Sequence, residues 1–155
     1  MSEISAQSVR FAPSGRFFAV LSDSDYIIYA YPKYSNAAFG QGCELVWATV
    51  NPTSHTYATR LDNGTVEVYS NFARLKSFKT NFANEGIFGG RLLAIKSKEF
   101  ITFYDWQDFN VVRRIDVGSE VKQLFWSEDG RQVVLVLDQA FYLLQFNAEI
   151  VDEAI

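Results

Sequence analysis

The stretch that decides the fold is Trp126-Ser127-Glu128-Asp129-Gly130-Arg131-Gln132-Val133-Val134-Leu135-Val136-Leu137-Asp138-Gln139-Ala140-Phe141-Tyr142-Leu143-Leu144-Gln145-Phe146. A polar turn with Gly130 leads into an alternating run, Arg131 to Leu137. Asp138-Gln139 interrupts it, and a second apolar run follows, Ala140 to Phe146. Two such runs separated by two turn-forming residues describe a β-hairpin. The layout also occurs 115 residues earlier. Phe11-Ala12-Pro13-Ser14-Gly15-Arg16 matches Trp126 to Arg131, Asp23 matches Asp138, Tyr26 matches Phe141 and Tyr31 matches Phe146, without a gap. The strands there are Arg16 to Ser22 and Tyr26 to Tyr31, joined at Asp23-Ser24-Asp25.

That spacing holds three periods of about 38 residues, slightly short of the roughly 40–45 of WD40 repeats. Two weaker copies fill the interval. One has runs Glu44 to Val50, Thr56 to Leu61, Thr65 to Tyr69 and Arg74 to Phe78, with Asp62-Asn63-Gly64 as a hairpin turn. The other has Glu85 to Phe88, Leu92 to Ser97, Phe100 to Trp106 and Val111 to Val117. Period-two alternation governs nearly every run, and no long run has helical period with caps. Sequence periodicity favours a propeller over a sandwich, which requires none. The expected fold is therefore all-β: a partial WD40-type β-propeller of about four blades, each of three to four antiparallel strands. The blades fall roughly at 5–35, 43–80, 84–118 and 120–148, with an acidic tail or linker start at 149–155. Complete propellers usually have more blades than four, within a range of about 4–8. The sequence thus reads as part of a longer protein, or as a chain that pairs with another copy through apolar sheet faces.

Composition bounds the function. Of 155 residues 48% are hydrophobic and 21% charged, a globular balance rather than a disordered one. Aromatic residues reach 16%, which suits half-buried strands. A net charge of −4 argues against general nucleic-acid binding, which needs cations to displace condensed counterions. The single cysteine, Cys43, cannot form an internal disulfide and fits a reducing compartment. The first residues lack the basic start and apolar run of a signal peptide, and no run is long enough to span a bilayer. Asn63-Gly64-Thr65 matches a glycosylation sequon but reads as a turn.

Candidate sites are few. His55, the only histidine, follows Pro52-Thr53-Ser54, a loop signature, and has no partner in sequence for base catalysis. One Cys and one His cannot complete a tetrahedral metal shell, so no metal or other cofactor is expected. Cys43 reads as a small buried hydrophobe. Gly40-Gln41-Gly42 and Gly89-Gly90 lack the following helix of a phosphate cradle and read as turns. Asp23, Asp25, Asp62, Asp105, Asp129 and Asp138 read as turn-forming carboxylates that could also receive a lysine-bearing peptide. Trp47 and Trp126 occupy equivalent places and read as wedges between blades, whereas Trp106 precedes a polar turn and is expected partly exposed. Arg74, Lys76, Lys79, Arg113 and Trp106 are the candidate partner contacts. Strict alternation places Arg74, Lys76 and Phe78 on one face, and Arg113 and Arg114 on opposite faces. Basic outer strands discourage stray strand pairing. They also suit an acidic partner or an anionic leaflet.

A set of residues resembles one family. Asp25-Tyr26-Ile27-Ile28-Tyr29, Phe39-Gly40, Trp47-Ala48, Asn71-Phe72 and Lys76-Ser77-Phe78-Lys79 belong to it. So do Phe82, Ile87-Phe88-Gly89-Gly90, Leu92-Leu93, Phe103-Tyr104-Asp105-Trp106, Arg113-Arg114-Ile115 and Phe125-Trp126-Ser127. Together, from about Ser8 to about Val151, they are similar to the second propeller of the coatomer β-prime family. Tyr104-Asp105 stands where the WD40 Trp-Asp pair would close a third strand. The resemblance implies a non-catalytic structural and interaction module of a COPI-type vesicle coat, in Golgi-to-ER and intra-Golgi transport. It further implies the other coatomer subunits as partners, notably the α subunit. The location it implies is the cytoplasmic side of Golgi membranes and coated vesicles, reached peripherally through the coat. In that family cargo tails are recognised mainly by the first propeller, so no cargo-site residue is carried over. The competing class is a generic WD40 scaffold for a peptide of another complex, or a propeller that binds a small ligand. An enzyme would need a His–carboxylate or paired-carboxylate constellation, which the sequence does not offer.

Overall fold

The computed structural model describes residues 8–31, 35–50 and 55–145. The acidic tail at 149–155 and the end of the fourth expected blade lie outside them. The described residues contain strands, turns and no helix. The chain forms two compact units, Met1–Asn81 and Phe82–Ile155.

The first unit contains two four-stranded antiparallel sheets. One runs β1 (Ser8–Phe11), β2 (Phe17–Leu21), β3 (Asp25–Ala30) and β4 (Ser35–Gln41). The other runs β5 (Glu44–Trp47), β6 (Tyr57–Arg60), β7 (Thr65–Ser70) and β8 (Ala73–Lys79). The second unit holds β9 (Gly86–Phe88), β10 (Leu93–Lys96), β11 (Phe100–Tyr104) and β12 (Val111–Asp116). Its other sheet is β13 (Gln123–Trp126), β14 (Gln132–Val136) and β15 (Phe141–Gln145). In every sheet chain order is spatial order, so each is a meander of hairpins. These are propeller blades.

The repeat is visible in single hydrogen bonds. Ser22, Leu61, Ser97 and Leu137 each donate a backbone N–H across the turn between second and third strands, to Asp25, Thr65, Phe100 and Ala140 respectively. The aligned turns at Gly15 and Gly130 are closed alike, by amides bonding to the carbonyls of Ala12 and Ser127 at 3.0 Å. Both glycines are left-handed, with φ of 73° and 71°, which explains glycine at this step of the repeat.

A second repeated feature is absent from any hydrophobic pattern. Where the third strand meets the fourth, the register slips between Ile28 and Tyr29, between Val68 and Tyr69, and between Phe103 and Tyr104. Each time the outer strand carries one extra residue: Ala37, Leu75 or Val112. These are β-bulges, which flip the faces of everything beyond them.

Each unit has its own core. In the first, Ala12, Ala19, Leu21, Tyr26 and Ile28 of one sheet cover Leu45, Trp47 and Tyr57 of the other. In the second, Leu92, Ala94, Ile101 and Phe103 cover Val121, Val133, Leu135 and Leu137. A fully buried aliphatic or aromatic side chain contributes about 1.5–3 kcal/mol relative to exposure, so these faces dominate the stability of each pair. Trp47 and Trp126 wedge into the two interfaces. Their indole N–H groups donate to the carbonyls of Arg10 (3.1 Å) and Gly89 (3.2 Å), each 37 residues earlier.

Candidate functional site

The surface expected to meet a partner is the charged outer strand of each sheet, and the structure divides it. Residues of β8 are exposed except Phe78, which is half-buried. Lys76 pairs with Val68 and Phe78 with Val66, so both share the face of those buried valines, and the Lys76 ammonium lies 5.8 Å from the Phe78 ring. Arg74 does not join them, which corrects the strict alternation. The bulge at Leu75 puts Arg74 opposite Tyr69, on the face of Glu67, and it forms a 3.1 Å ion pair with the Glu67 carboxylate. Lys79, opposite Thr65, shares that other face.

In the second unit, Arg113 pairs with Phe103 and Arg114 with Thr102, on opposite faces as the alternation requires. The Arg114 guanidinium lies 3.8 Å from the centre of the Phe100 ring and 3.3 Å from the Asp116 carboxylate. Cation–π contact with an exposed pair of this kind is worth about 0.5–1 kcal/mol.

Trp106 overturns its expectation. It is 3% exposed, and its indole N–H donates to the Gly90 carbonyl at 2.9 Å. The polar turn after it is solvent-exposed at Gln107, Asp108 and Asn110 but closes around a buried carboxylate. Asp105 Oδ1 accepts the amides of Gln107, Asp108 and Phe109, and Oδ2 accepts that of Asn110. Phe109 is held left-handed at φ 59°. With Asp105 itself fully buried, this turn is anchored from within and Trp106 is a buried hydrophobic residue. The Gly89-Gly90 pair is likewise a docking step for indoles. Trp126 bonds the first carbonyl and Trp106 the second, and a Cβ on Gly90 (φ +117°) would come 2.3 Å from the Trp126 ring.

Sequence reasoning missed a tyrosine cluster in the first unit. Tyr57 stacks on Tyr69 at 4.9 Å and 8°, meets Trp47 at 5.1 Å, and lies edge-on to Tyr26 at 6.2 Å. Burial pushes the Tyr57 phenol up to about 12 and raises those of Tyr26 and Tyr69 further. The signal was the tyrosine in each of the runs Tyr26 to Tyr31, Thr56 to Leu61 and Thr65 to Tyr69, on facing strands. It also missed a charged rim in the second unit. Lys96 and Lys122 both grip Glu120, at 3.0 and 3.2 Å, and hold its carboxyl below the usual range.

His55 sits in a loop, left-handed at φ 48°, with its ring edge-on to Phe17 at 4.7 Å and stacked over Phe72 at 6.0 Å. Burial, then Arg16 nearby, lowers its pKa. Cys43 is half-buried, and its thiol donates to the Arg60 carbonyl at 3.2 Å, while desolvation pushes its pKa up. Arg60 nearby favours the thiolate, but desolvation outweighs it. Among the described residues no three His, Cys, Asp or Glu side chains stand together as metal ligands.

Comparison with known proteins agrees with this architecture. The family described as "COPA/B second beta-propeller" matches residues 1–155. Coatomer subunit beta' of Rattus norvegicus is 38% identical over 147 residues, which is 95% of this chain and 16% of that protein. Coatomer subunit beta'-3 of Arabidopsis thaliana is 40% identical over 146 residues, 94% of this chain and 15% of its own length. The chain therefore spans about a sixth of the length of the relatives it matches. Among solved structures, Kluyvelomyces marxianus Hsv2 superposes with a TM-score of 0.70 at 14% identity, covering 96% of this chain and 52% of that one. Kuenenia stuttgartiensis hydrazine synthase gives the same TM-score and identity over 88% of this chain and 45% of its own. At that identity the two structures speak for the fold alone.

Proposed function

The chain belongs to the family of COPA/B second β-propellers, and on that premise we propose that it is a non-catalytic structural and protein-interaction module of a COPI-type vesicle coat. Its role is in Golgi-to-ER and intra-Golgi transport, on the cytoplasmic side of Golgi membranes and coated vesicles. Its partners are the other coatomer subunits, notably the α subunit. Membrane association is peripheral and comes through the coat. The observation that carries this reading is the 38–40% identity to coatomer beta' subunits over nearly the whole chain.

The geometry supports a scaffold. Sheets with packed hydrophobic interfaces, indole wedges and a carboxylate-filled turn hold surface groups in fixed positions, so little ordering entropy is lost when a partner binds. Of the expected contacts, Lys76 and Lys79 on opposite faces of β8, the Glu67-paired Arg74, and Arg113 on β12 are proposed to meet acidic partner surface. Trp106 leaves that set.

The experiment is affinity capture from cytosol with the complete protein that carries this segment. Co-recovery of the other coatomer subunits is expected. Their absence, with the protein folded, would refute the reading. Charge reversal at Lys76 and Lys79 together should weaken recruitment to Golgi membranes several-fold, and unchanged recruitment would remove β8 as a contact.

A further inference from the structure

The outer strands β4, β8 and β12 give one equivalent place to three different side chains. The third residue of the strand before them is Ile27, Glu67 or Thr102, and the outer residue opposite it is Phe39, Ser77 or Arg114. Only β8 has a hydroxyl there, and only β8 sets cations on both sides of that place on one face. Arg74 lies opposite Tyr69 and Lys79 opposite Thr65, the places that flank Glu67 on its own face of β7. The matching residues are Asn36 and Gln41 on β4, and Val111 and Asp116 on β12. Strand rise puts each cation's backbone about 7 Å from Ser77, a span that extended Arg and Lys side chains cover.

Ser77 is also reachable. It shares the face that Leu45, Trp47 and Tyr57 bury against the β1–β4 sheet, yet it is exposed with that sheet in place. Among the described residues no strand pairs with the outer edge of β8. Phe78 is the one half-buried side chain of the strand, and it lies on the opposite face. A strand held by so little side-chain burial opens locally at small cost, and an opened, extended strand is what a kinase cleft takes in.

We propose that Ser77 is a phosphorylation site for a serine/threonine kinase that reads cations flanking its target. The γ-phosphoryl group of ATP passes to Ser77 Oγ. A new P–O bond forms there as the bridging P–O bond to ADP breaks, and the hydroxyl proton goes to the base of the kinase. The product carries about −1.5 to −2 charge at neutral pH and three acceptor oxygens. Arg74 and Lys79 close on it, and Arg74 turns from Glu67, its partner at 3.1 Å in the unmodified chain, to the more highly charged phosphate. The face, where these two cations outnumber Glu67, thereby becomes net negative. Neither the transfer nor the clamp requires a coat partner.

The test uses the complete protein that carries this segment, recovered folded, with ATP and calcium/calmodulin-dependent protein kinase II, which reads an arginine three residues before its serine. Mass spectrometry should place phosphate on Ser77, and Arg74→Ala should slow its appearance at least tenfold. In a phosphorus NMR titration the second ionisation of that phosphate should fall below about 6 and return toward it in Lys79→Ala. An unmodified Ser77, under conditions in which a peptide of residues 72–81 is phosphorylated, would overturn the proposal. So would a phosphate that ionises at about 6 whether or not Lys79 is present. Circular dichroism checks that each variant is folded. Should Arg74→Ala unfold the protein, Arg74→Gln combined with Glu67→Gln removes both charges of the pair and carries the same test.

Discussion

The two units use one plan and opposite chemistries. At equivalent places in their intersheet cores, Tyr26, Tyr57 and Thr59 of the first unit correspond to Ile101, Val133 and Leu135 of the second, all buried. The first unit stacks phenols and carries hydroxyls into its core, while the second fills the same volume with branched aliphatics. The second unit places polar groups elsewhere: in the Lys96–Glu120–Lys122 cluster and in the turn closed by the buried Asp105. The lesson is that the plan fixes shape and spacing, not polarity. An interface tolerates hydroxyls when aromatic area compensates, and the two halves should then respond differently to truncation and to pH.

The largest contrast should come from truncating the core. Phe103 and Ile28 occupy equivalent places and are both fully buried. Phe103→Ala should destabilise the second unit by about 4 kcal/mol and Ile28→Ala the first by about 3 kcal/mol, measured by urea denaturation. Next is Asp105→Ala, which takes the side-chain acceptor from the amides of Gln107, Asp108 and Asn110 and leaves that of Phe109 only the Asp105 carbonyl, and should lower stability by about 3 kcal/mol. The equivalent positions of the first unit, Ala30 and Ser70, carry no carboxylate. A similar loss on mutating Ser70→Ala would erase the contrast.

A gain is expected from Thr59→Val. The Thr59 hydroxyl is buried without a hydrogen bond, and Leu135 shows that the place accepts a branched apolar residue. Stability should rise by about 1 kcal/mol.

The pH responses are smaller and separate the units most cleanly. A phenol whose folded pKa is raised keeps its proton longer in the folded state, so stability is lost as pH rises above the ordinary value of 10. The first unit should weaken between pH 10 and about 12, with Tyr57→Phe reducing the slope, as read by tyrosinate absorbance alongside unfolding. His55 acts in the other direction. Its folded pKa is lowered from 6.5, so its contribution is complete above that value and falls as pH drops through it. His55→Gln should flatten a slight loss of stability on acidification from pH 7 to 5. An unchanged acid profile would remove His55 as its source.

Most of the architecture was legible because it rests on local signals. Gly15 and Gly130 mark one turn, Asp62-Asn63-Gly64 another, and alternation marks the strands between. Strand β4 was not, because Ser35-Asn36-Ala37-Ala38-Phe39-Gly40-Gln41 has small and polar residues and no period-two contrast. Gly40 is there because a Cβ would sit 2.8 Å from the Tyr26 hydroxyl, a constraint set by tertiary contact. Surface assignments failed for a related reason. The face of Arg74 depends on an extra residue at Leu75, and the depth of Trp106 goes with a buried carboxylate that anchors the exposed polar loop after it. Neither a bulge nor a buried Asx turn changes the composition of the segment that contains it. The wedges Trp47 and Trp126 were legible because they recur in register with the repeat.

Those wedges also bear on the order in which the molecule assembles. The acceptor of each indole, the carbonyl of Arg10 or of Gly89, lies 37 residues toward the N-terminus. During synthesis, each tryptophan emerges after the strand it must reach has already left the ribosome. Chains form N-terminal parts first. Each pair can thus be stitched from its earlier sheet to its later one while translation continues.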